Sequence, residues 1–308
     1  MTIVRPHPRP TEGGHRSSKV RTAGFRSYPL TRGPREATRS TDERMEQLAS
    51  ALVKAAQAGS PRADATFGPY ASLFGFLHSS AMQEGRLLEL AIADVAQTNP
   101  NLRILRPGTL PINPSALDML ERTSPEAVKG VRFSPHVYSD KGYKPDLFIV
   151  DQATHIGLLL DVKRNLGSHR GQDIEELSAR MLAAAYSAGE WIAQRRGPVL
   201  VKVETAIIDG ADELSDPDRG VFRLSEIDCL LGTEGAAESI YQTRVLFAEK
   251  VQAELHRRCC ELVQNEDGRR GLTIVASSAS EAHSGIRDAR QTHDGTPRFG
   301  YARRPGLH

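Results

Sequence analysis

Two short apolar runs separated by a polar break dominate the middle of the chain: Leu147-Phe148-Ile149-Val150, then Ile156 to Val162, with Asp151, Gln152, Ala153, Thr154 and His155 between them. Runs of this length suit buried strands, and the break has the size of a hairpin loop, so the segment predicts an antiparallel pair. A turn centred between Ala153 and Thr154 sets Asp151 opposite Ile156, Val150 opposite Gly157 and Leu147 opposite Leu160. One step further, Asp146 faces Asp161. Side chains alternate along a strand, so Asp161 and Lys163 share one face while Val162 turns away, and Asp146 joins that face in this register.

Helical spacing brackets the hairpin. Ser80 and Gln83 form a capping box, and Leu88, Ala91, Ile92 and Val95 recur at helical intervals up to Asn99-Pro100, predicting a helix over 80–98. Ile174, Leu177, Met181, Ala184, Ala185, Ala188 and Ile192 mark another over 172–194. The β-branched run 198–208 then predicts a strand reached by a crossover. Upstream, Ser40 and Glu43 open a helix ending near Ala58, and residues 70–78 suggest a short one. Downstream, 209–218 (DGADELSDPD) is expected as a solvated acidic loop, 236–263 as a long helix and 272–276 as an edge strand. That long helix carries Arg244, Lys250, His256, Arg257 and Arg258. It is expected first as a cover for the sheet or for a dimer partner, and second as a basic face toward DNA.

Composition narrows the field. With 308 residues, 39% of them hydrophobic, the chain suits one sizeable domain. No apolar run is long enough to span a bilayer, and the N-terminus lacks the apolar core of a signal peptide, so no membrane partner is expected. Cys229, Cys259 and Cys260 make neither a disulfide framework nor a zinc spacing, which suits the cytoplasm, and the ten histidines are scattered. Charge is uneven: residues 1–40 hold nine Lys or Arg against Glu12 and Glu36, a net of +7, and residues 281–308 hold five Arg against three acids, a net of +2. The whole chain is +2, so residues 41–280 carry −7. The expected division is a disordered basic arm (1–40), a domain (41–280, core about 80–209) and a disordered tail (281–308). An acidic body that acts on nucleic acid must concentrate its positive charge locally or in the arm.

Aspartates directly opposed across a strand pair, with Cβ atoms about 5 Å apart, repel, so they need a cation or a shared proton. Carboxylate oxygens suit Mg²⁺, which binds through one or two carboxylates plus a substrate phosphate. A metal there would polarise a phosphoryl oxygen and acidify its water, with Lys163 orienting that water or countering the charge on phosphorus. The plainer reading is a strand that begins at Pro145 beside a surface ion pair. Against it, Asp161 ends an apolar strand, where an unpaired carboxylate is costly.

Pro145-Asp146 followed by Asp161-Val162-Lys163 after an apolar strand resembles the PD-(D/E)XK nuclease superfamily, which includes restriction endonucleases. The likeness spans roughly residues 80–209. It implies an α/β fold of the restriction-endonuclease-like kind, a mixed central sheet flanked by helices in the order helix, three strands, helix, strand, with Mg²⁺ (or Mn²⁺) at Asp146 and Asp161. Members often carry a further acid in a Gly-x-x-x-Glu setting on the preceding helix. Gly85 to Glu89 resembles that pattern, while Glu84 is the competing acid; Glu89 is preferred, as a direct or water-mediated ligand of the metal, because it lies at the edge of the apolar stripe and not near its centre. Around the acids, Lys141, Lys144, Arg164, His169 and Arg170, with Gln172 the weakest, are candidates to hold flanking phosphates. The implied activity is metal-dependent hydrolysis of DNA phosphodiesters, endonucleolytic because nothing suggests a threaded channel. The alternative is a catalytically inactive nucleic-acid-binding or interaction protein on the same fold.

Overall fold

The computed structural model of the chain describes residues 35–59, 64–123, 133–135 and 142–280, with side chains for those of 42–264. The chain divides into two compact units, Met1–Arg258 and Cys259–His308. In chain order the elements are helix α1 (Arg35–Gln57), a 3-10 turn (Gly68–Tyr70), helix α2 (Ala71–Thr98), strands β1 (Leu102–Leu105) and β2 (Leu110–Pro111), helix α3 (Pro114–Arg122), and strands β3 (Gly142–Tyr143), β4 (Leu147–Asp151) and β5 (Ile156–Lys163). Helix α4 (Gly171–Gln194), strands β6 (Lys202–Asp209) and β7 (Val221–Arg223), and helices α5 (Ile227–Leu231) and α6 (Ala236–Ser280) follow, with further 3-10 turns at Pro217–Arg219 and Leu224–Glu226.

The fold is mixed α/β. A five-stranded sheet runs β1-β4-β5-β6-β7, with β1, β4 and β5 antiparallel and β6 and β7 parallel to β5. The hairpin register is the one its residues predict: Asp151 pairs with Ile156, Val150 with Gly157 and Leu147 with Leu160. Alternation then decides the layers. Leu158, Leu160 and Val162 face a core built with Leu88, Ile92 and Val95 of α2 and Ile240 of α6, while Leu159 faces one built with Met181, Ala184 and Ala188 of α4. A two-stranded ribbon, β2 with β3, is inserted between β1 and β4 and packs on the α4 side.

Several expected boundaries move. The capping box at Ser80 does not form: one helix runs from Ala71 to Thr98, absorbing the short helix expected at 70–78, and Ser80 is a buried interior residue. Nothing between 71 and 80 breaks a helix, and both halves keep one apolar phase. Likewise α1 begins at Arg35, so Ser40 lies inside it. The strand expected from Pro198 starts only at Lys202, the residue that pairs with the first residue of β5; before it there is no strand to pair with. Residues 272–276 continue α6 and form no edge strand. On α6, Arg244 pairs with Glu84 of α2, and Arg257 and Arg258 pair with Glu254 one turn earlier on the same helix; Arg244 and Arg258 are largely covered, whereas His256 and Arg257 stay exposed. Residues 1–34 of the basic arm and 281–308 of the tail lie outside the described residues. Among the described residues no helix is long and apolar enough to cross a membrane.

Candidate active site

The β4–β5 ladder stops at Leu147 and Leu160, whereas β5 continues to Lys163 against β6. Residues 161–163 therefore have a strand on one side only, and the sheet opens there like a fork. Asp146, one residue before β4, fills the gap: its Oδ2 accepts the Val162 N–H at 2.8 Å. A backbone donor left behind by the ending strand is satisfied by a side chain. That bond pins Asp146 beside Asp161.

Asp161 is only 4% exposed, on the α4 side of β5. Its Oδ2 accepts the Tyr143 hydroxyl at 2.7 Å. Its Oδ1 is buried and accepts no hydrogen bond of ordinary geometry; it lies against the Lys163 ammonium as an ion pair. Glu89 lies on α2, on the other side of the sheet, close enough for the charges of Asp146, Asp161 and Lys163 to act on it. Burial pushes its carboxyl up to about 7, helped by the negative charge of Asp146, opposed by Arg86, helped again by Asp161 and opposed by Lys163. Burial also raises Asp146, with Asp161 adding to it and the Val162 N–H, Lys163 and Lys144 holding it back. Burial and the Asp161 charge push the Tyr143 phenol far up, so it stays a donor. Three carboxylates thus share one region with a single close ammonium, and they feel one another.

The remaining expected residues scatter around this centre. Glu84 faces away from it, its Oε1 paired with Arg244 at 2.7 Å and its Oε2 3.6 Å from Arg164. Lys144 is exposed and acts on Asp146 through its charge. His169 and Arg170 are exposed at the start of α4, where the Arg170 N–H donates to Asp173 Oδ2 at 3.1 Å. Gln172, the second residue of α4, is exposed too, and Lys141 lies outside the described residues. Among the described residues no three carboxylate, imidazole or thiol side chains close into a ready-made metal cage.

Two residues matter that the strand pattern does not announce. Tyr143 belongs to β3 and pairs with Leu110, so extending the hairpin register backwards from Asp146 cannot find it. Asp209 opens what looks like a solvated acidic loop, yet it is fully buried. Its Oδ1 accepts the N–H groups of Leu166 (2.9 Å) and Ala211 (3.2 Å), and its Oδ2 those of Glu213 and Leu214 (both 2.9 Å). It ties the turn after β5 to the loop after β6. The Gly210 N–H donates to Lys163 O at 2.7 Å, and a Cβ on Gly210 would lie 2.9 Å from that oxygen and 2.6 Å from Leu88 Cδ1. The floor beneath Lys163 is set by this junction.

Compared with family models, with curated proteins and with solved structures, the chain matches none of them.

Proposed function

We propose that the chain is a metal-dependent phosphodiester hydrolase, a DNA endonuclease of the restriction-endonuclease-like type. The observation that carries the proposal is the meeting of Asp146, Asp161, Glu89 and Lys163 at the open fork of the sheet, where burial and mutual repulsion lift Glu89 to about 7. Such a cluster is held at a cost, and strongly perturbed acids in a cleft mark functional sites more often than scaffolds. The element order supports the finer fold assignment: a helix, then β1, β4 and β5 antiparallel, then helix α4 and a parallel β6.

Mg²⁺, with Mn²⁺ as a substitute, fits the donor set. The Asp161 Oδ1, which faces only the Lys163 ammonium, and the Asp146 carboxylate are hard oxygens, and Mg²⁺ takes one or two carboxylates with substrate oxygens completing its shell, so no three-ligand cage is needed. Bound there, it would supply Lewis-acid polarisation of the phosphoryl group and a more acidic water. The chain's own residues do the rest. Tyr143 holds the Asp161 carboxylate in place, the Val162 N–H holds Asp146, and Lys163 sets an ammonium where charge develops on phosphorus. Glu89, titrating near neutral pH, can take the proton of the attacking water. Lys144, Arg164, His169 and Arg170, all exposed, are the candidates to hold flanking phosphates. Exposed Cys229, Cys259 and Cys260, none of them in a disulfide, accord with a cytoplasmic setting.

The test is incubation of the purified chain with plasmid, linear and single-stranded DNA in Mg²⁺, Mn²⁺ or EDTA, beside Asp161→Ala and Lys163→Ala. Cleavage is expected with either metal, is absent in EDTA, and falls by roughly 10²–10³-fold or more in each variant. Equal cleavage by wild type and variants assigns the activity elsewhere. Metal-independent DNA binding without cleavage favours the second reading, a non-catalytic nucleic-acid-binding protein, in which the Asp161–Lys163 ion pair is only structural.

A further inference from the structure

Helix α2 is longer than the sheet it packs on. Its stripe Leu88, Ile92 and Val95 lies on the core face of the sheet, and Leu88 reaches Gly210, the residue just beyond β6. One turn earlier, Glu84 meets Arg164 and Arg244, both past the strand ends. The same stripe continues toward the N-terminus as Tyr70, Phe74, Leu77 and Ala81, with no sheet left to cover it. Tyr70, Phe74 and Leu77 are each nearly half exposed, Met82 is 64% exposed, and Phe67 stacks on Phe74 with ring centroids 4.1 Å apart.

This exposed face runs along the helix toward Glu89. Met82, His78 and Phe74 precede Glu89 by seven, eleven and fifteen residues, close to two, three and four helical turns, so they stand on its side of the helix. At 1.5 Å per residue the wall runs from about 10 Å to about 22 Å beyond Glu89. Its chemistry is narrow: residues 65–83 contain no Asp, Glu, Lys or Arg. Duplex DNA turns outward one phosphate charge per about 1.7 Å of axis, and an uncharged aromatic wall offers it nothing. An unpaired strand instead presents base faces, which stack on such side chains whatever the sequence. A second copy of the chain seated on Phe74 and Met82 would close the approach to Glu89.

Resting on the hydrolase reading for the site beside it, we infer that the overhanging face of α2, formed by Phe67, Tyr70, Phe74, Leu77 and Met82, is a stacking platform for unpaired DNA. The substrate class is therefore single-stranded or splayed DNA leading into the acid cluster. The test uses the full chain in EDTA, with fluorescence anisotropy of a labelled single-stranded oligodeoxynucleotide and of the matching duplex. Wild type binds the single strand about tenfold more tightly. Phe74→Ala weakens that binding about tenfold and leaves duplex binding unchanged, while Phe74→Trp restores it. Circular dichroism checks that each variant is folded, and sedimentation reports its oligomeric state. Equal affinity for both forms, no binding to either, or single-strand binding indifferent to Phe74→Ala overturns the inference. So does a wild-type dimer that Phe74→Ala dissolves. Metal-dependent cleavage alongside such a failure leaves the hydrolase reading standing, and Phe74-dependent single-strand binding without cleavage in any metal leaves the platform standing alone.

Discussion

Asp161 and Asp209 sit near and at the ends of neighbouring parallel strands, both buried, in opposite conditions. Asp209 is embraced by four backbone N–H groups that fix the loops on either side of it. Asp161 has one hydroxyl donor on Oδ2, an oxygen without a hydrogen bond, and two other carboxylates acting within range. Backbone amides fully repay the burial of a carboxylate, whereas a cluster of like charges leaves it short. One acid serves the fold. The other sits among like charges, with one ammonium against it.

The sharpest way to break this contrast is to remove each acid in turn. Asp209→Ala strands four N–H groups around a void and is expected to cost about 3–5 kcal/mol, read from urea or thermal unfolding. Asp161→Ala strands the Tyr143 hydroxyl and the Lys163 ammonium, the latter exposed enough to turn to water, while relieving repulsion on Asp146 and Glu89, so its cost should stay at about 1–2 kcal/mol, below that of Asp209→Ala. Equal losses would mean that both acids are structural. Mg²⁺ sharpens the same contrast: at a hundred times its Kd it should stabilise the wild type by about 2.7 kcal/mol and Asp161→Ala by nothing. A melt unmoved by Mg²⁺ in the wild type would contradict the metal-site reading.

The hairpin was legible because each of its strands is apolar on both faces and the turn is short, which leaves one register. That register carries Asp146 to Asp161, and alternation carries Lys163 along with them. Glu89 was legible from its place at the edge of the α2 stripe, although α2 itself begins nine residues before the capping signal at Ser80. Tyr143 and Asp209 were not legible, for different reasons. Tyr143 arrives on an inserted ribbon whose pairing with Leu110 is non-local. Asp209 stands in a run of acids and glycine that resembles a solvated loop, and its burial depends on loops folding back over it from both sides. Local pattern reports strands and faces; it does not report where separate loops close on one side chain.

Tyr143→Phe probes the hydroxyl that donates to Asp161 Oδ2, on the other oxygen from the Lys163 ion pair. Losing a hydroxyl bonded to a charged acceptor should cost about 1–2 kcal/mol, and the coupling with Asp161→Asn in a double-mutant cycle should account for most of it. Additive effects would show that Tyr143 only packs, and that the geometry of Asp161 is set by Lys163 alone.

The smallest effect expected is the titration of Glu89, and it tests whether the carboxylates at the fork act on one another. Its folded value of about 7 lies above the ordinary 4.5, so the folded state binds its proton more tightly than the unfolded chain. The stability it contributes is whole below about 4.5 and is lost as pH rises toward 7, with a size of about 1 kcal/mol or less because the group is half-exposed and screened. Glu254 acts in a different window. It is held down to about 2, chiefly by its hydrogen bonds from Arg257, so what it contributes is lost only as pH falls below 4.5. Asp146, also raised, slopes in the same direction as Glu89, so the measurement is a difference: unfolding free energy across pH 4.5 to 7 for wild type against Glu89→Gln. The variant should lose part of the downward slope, and Asp161→Asn should flatten the contribution of Glu89 by removing a charge that raises it. Saturating Mg²⁺ should reverse the slope, since a cation favours the ionised carboxylates that the empty cluster resists. A Glu89→Gln curve superimposable on the wild type would mean that the glutamate titrates as a solvated side chain, and the fork would then hold two aspartates and a lysine without their third acid.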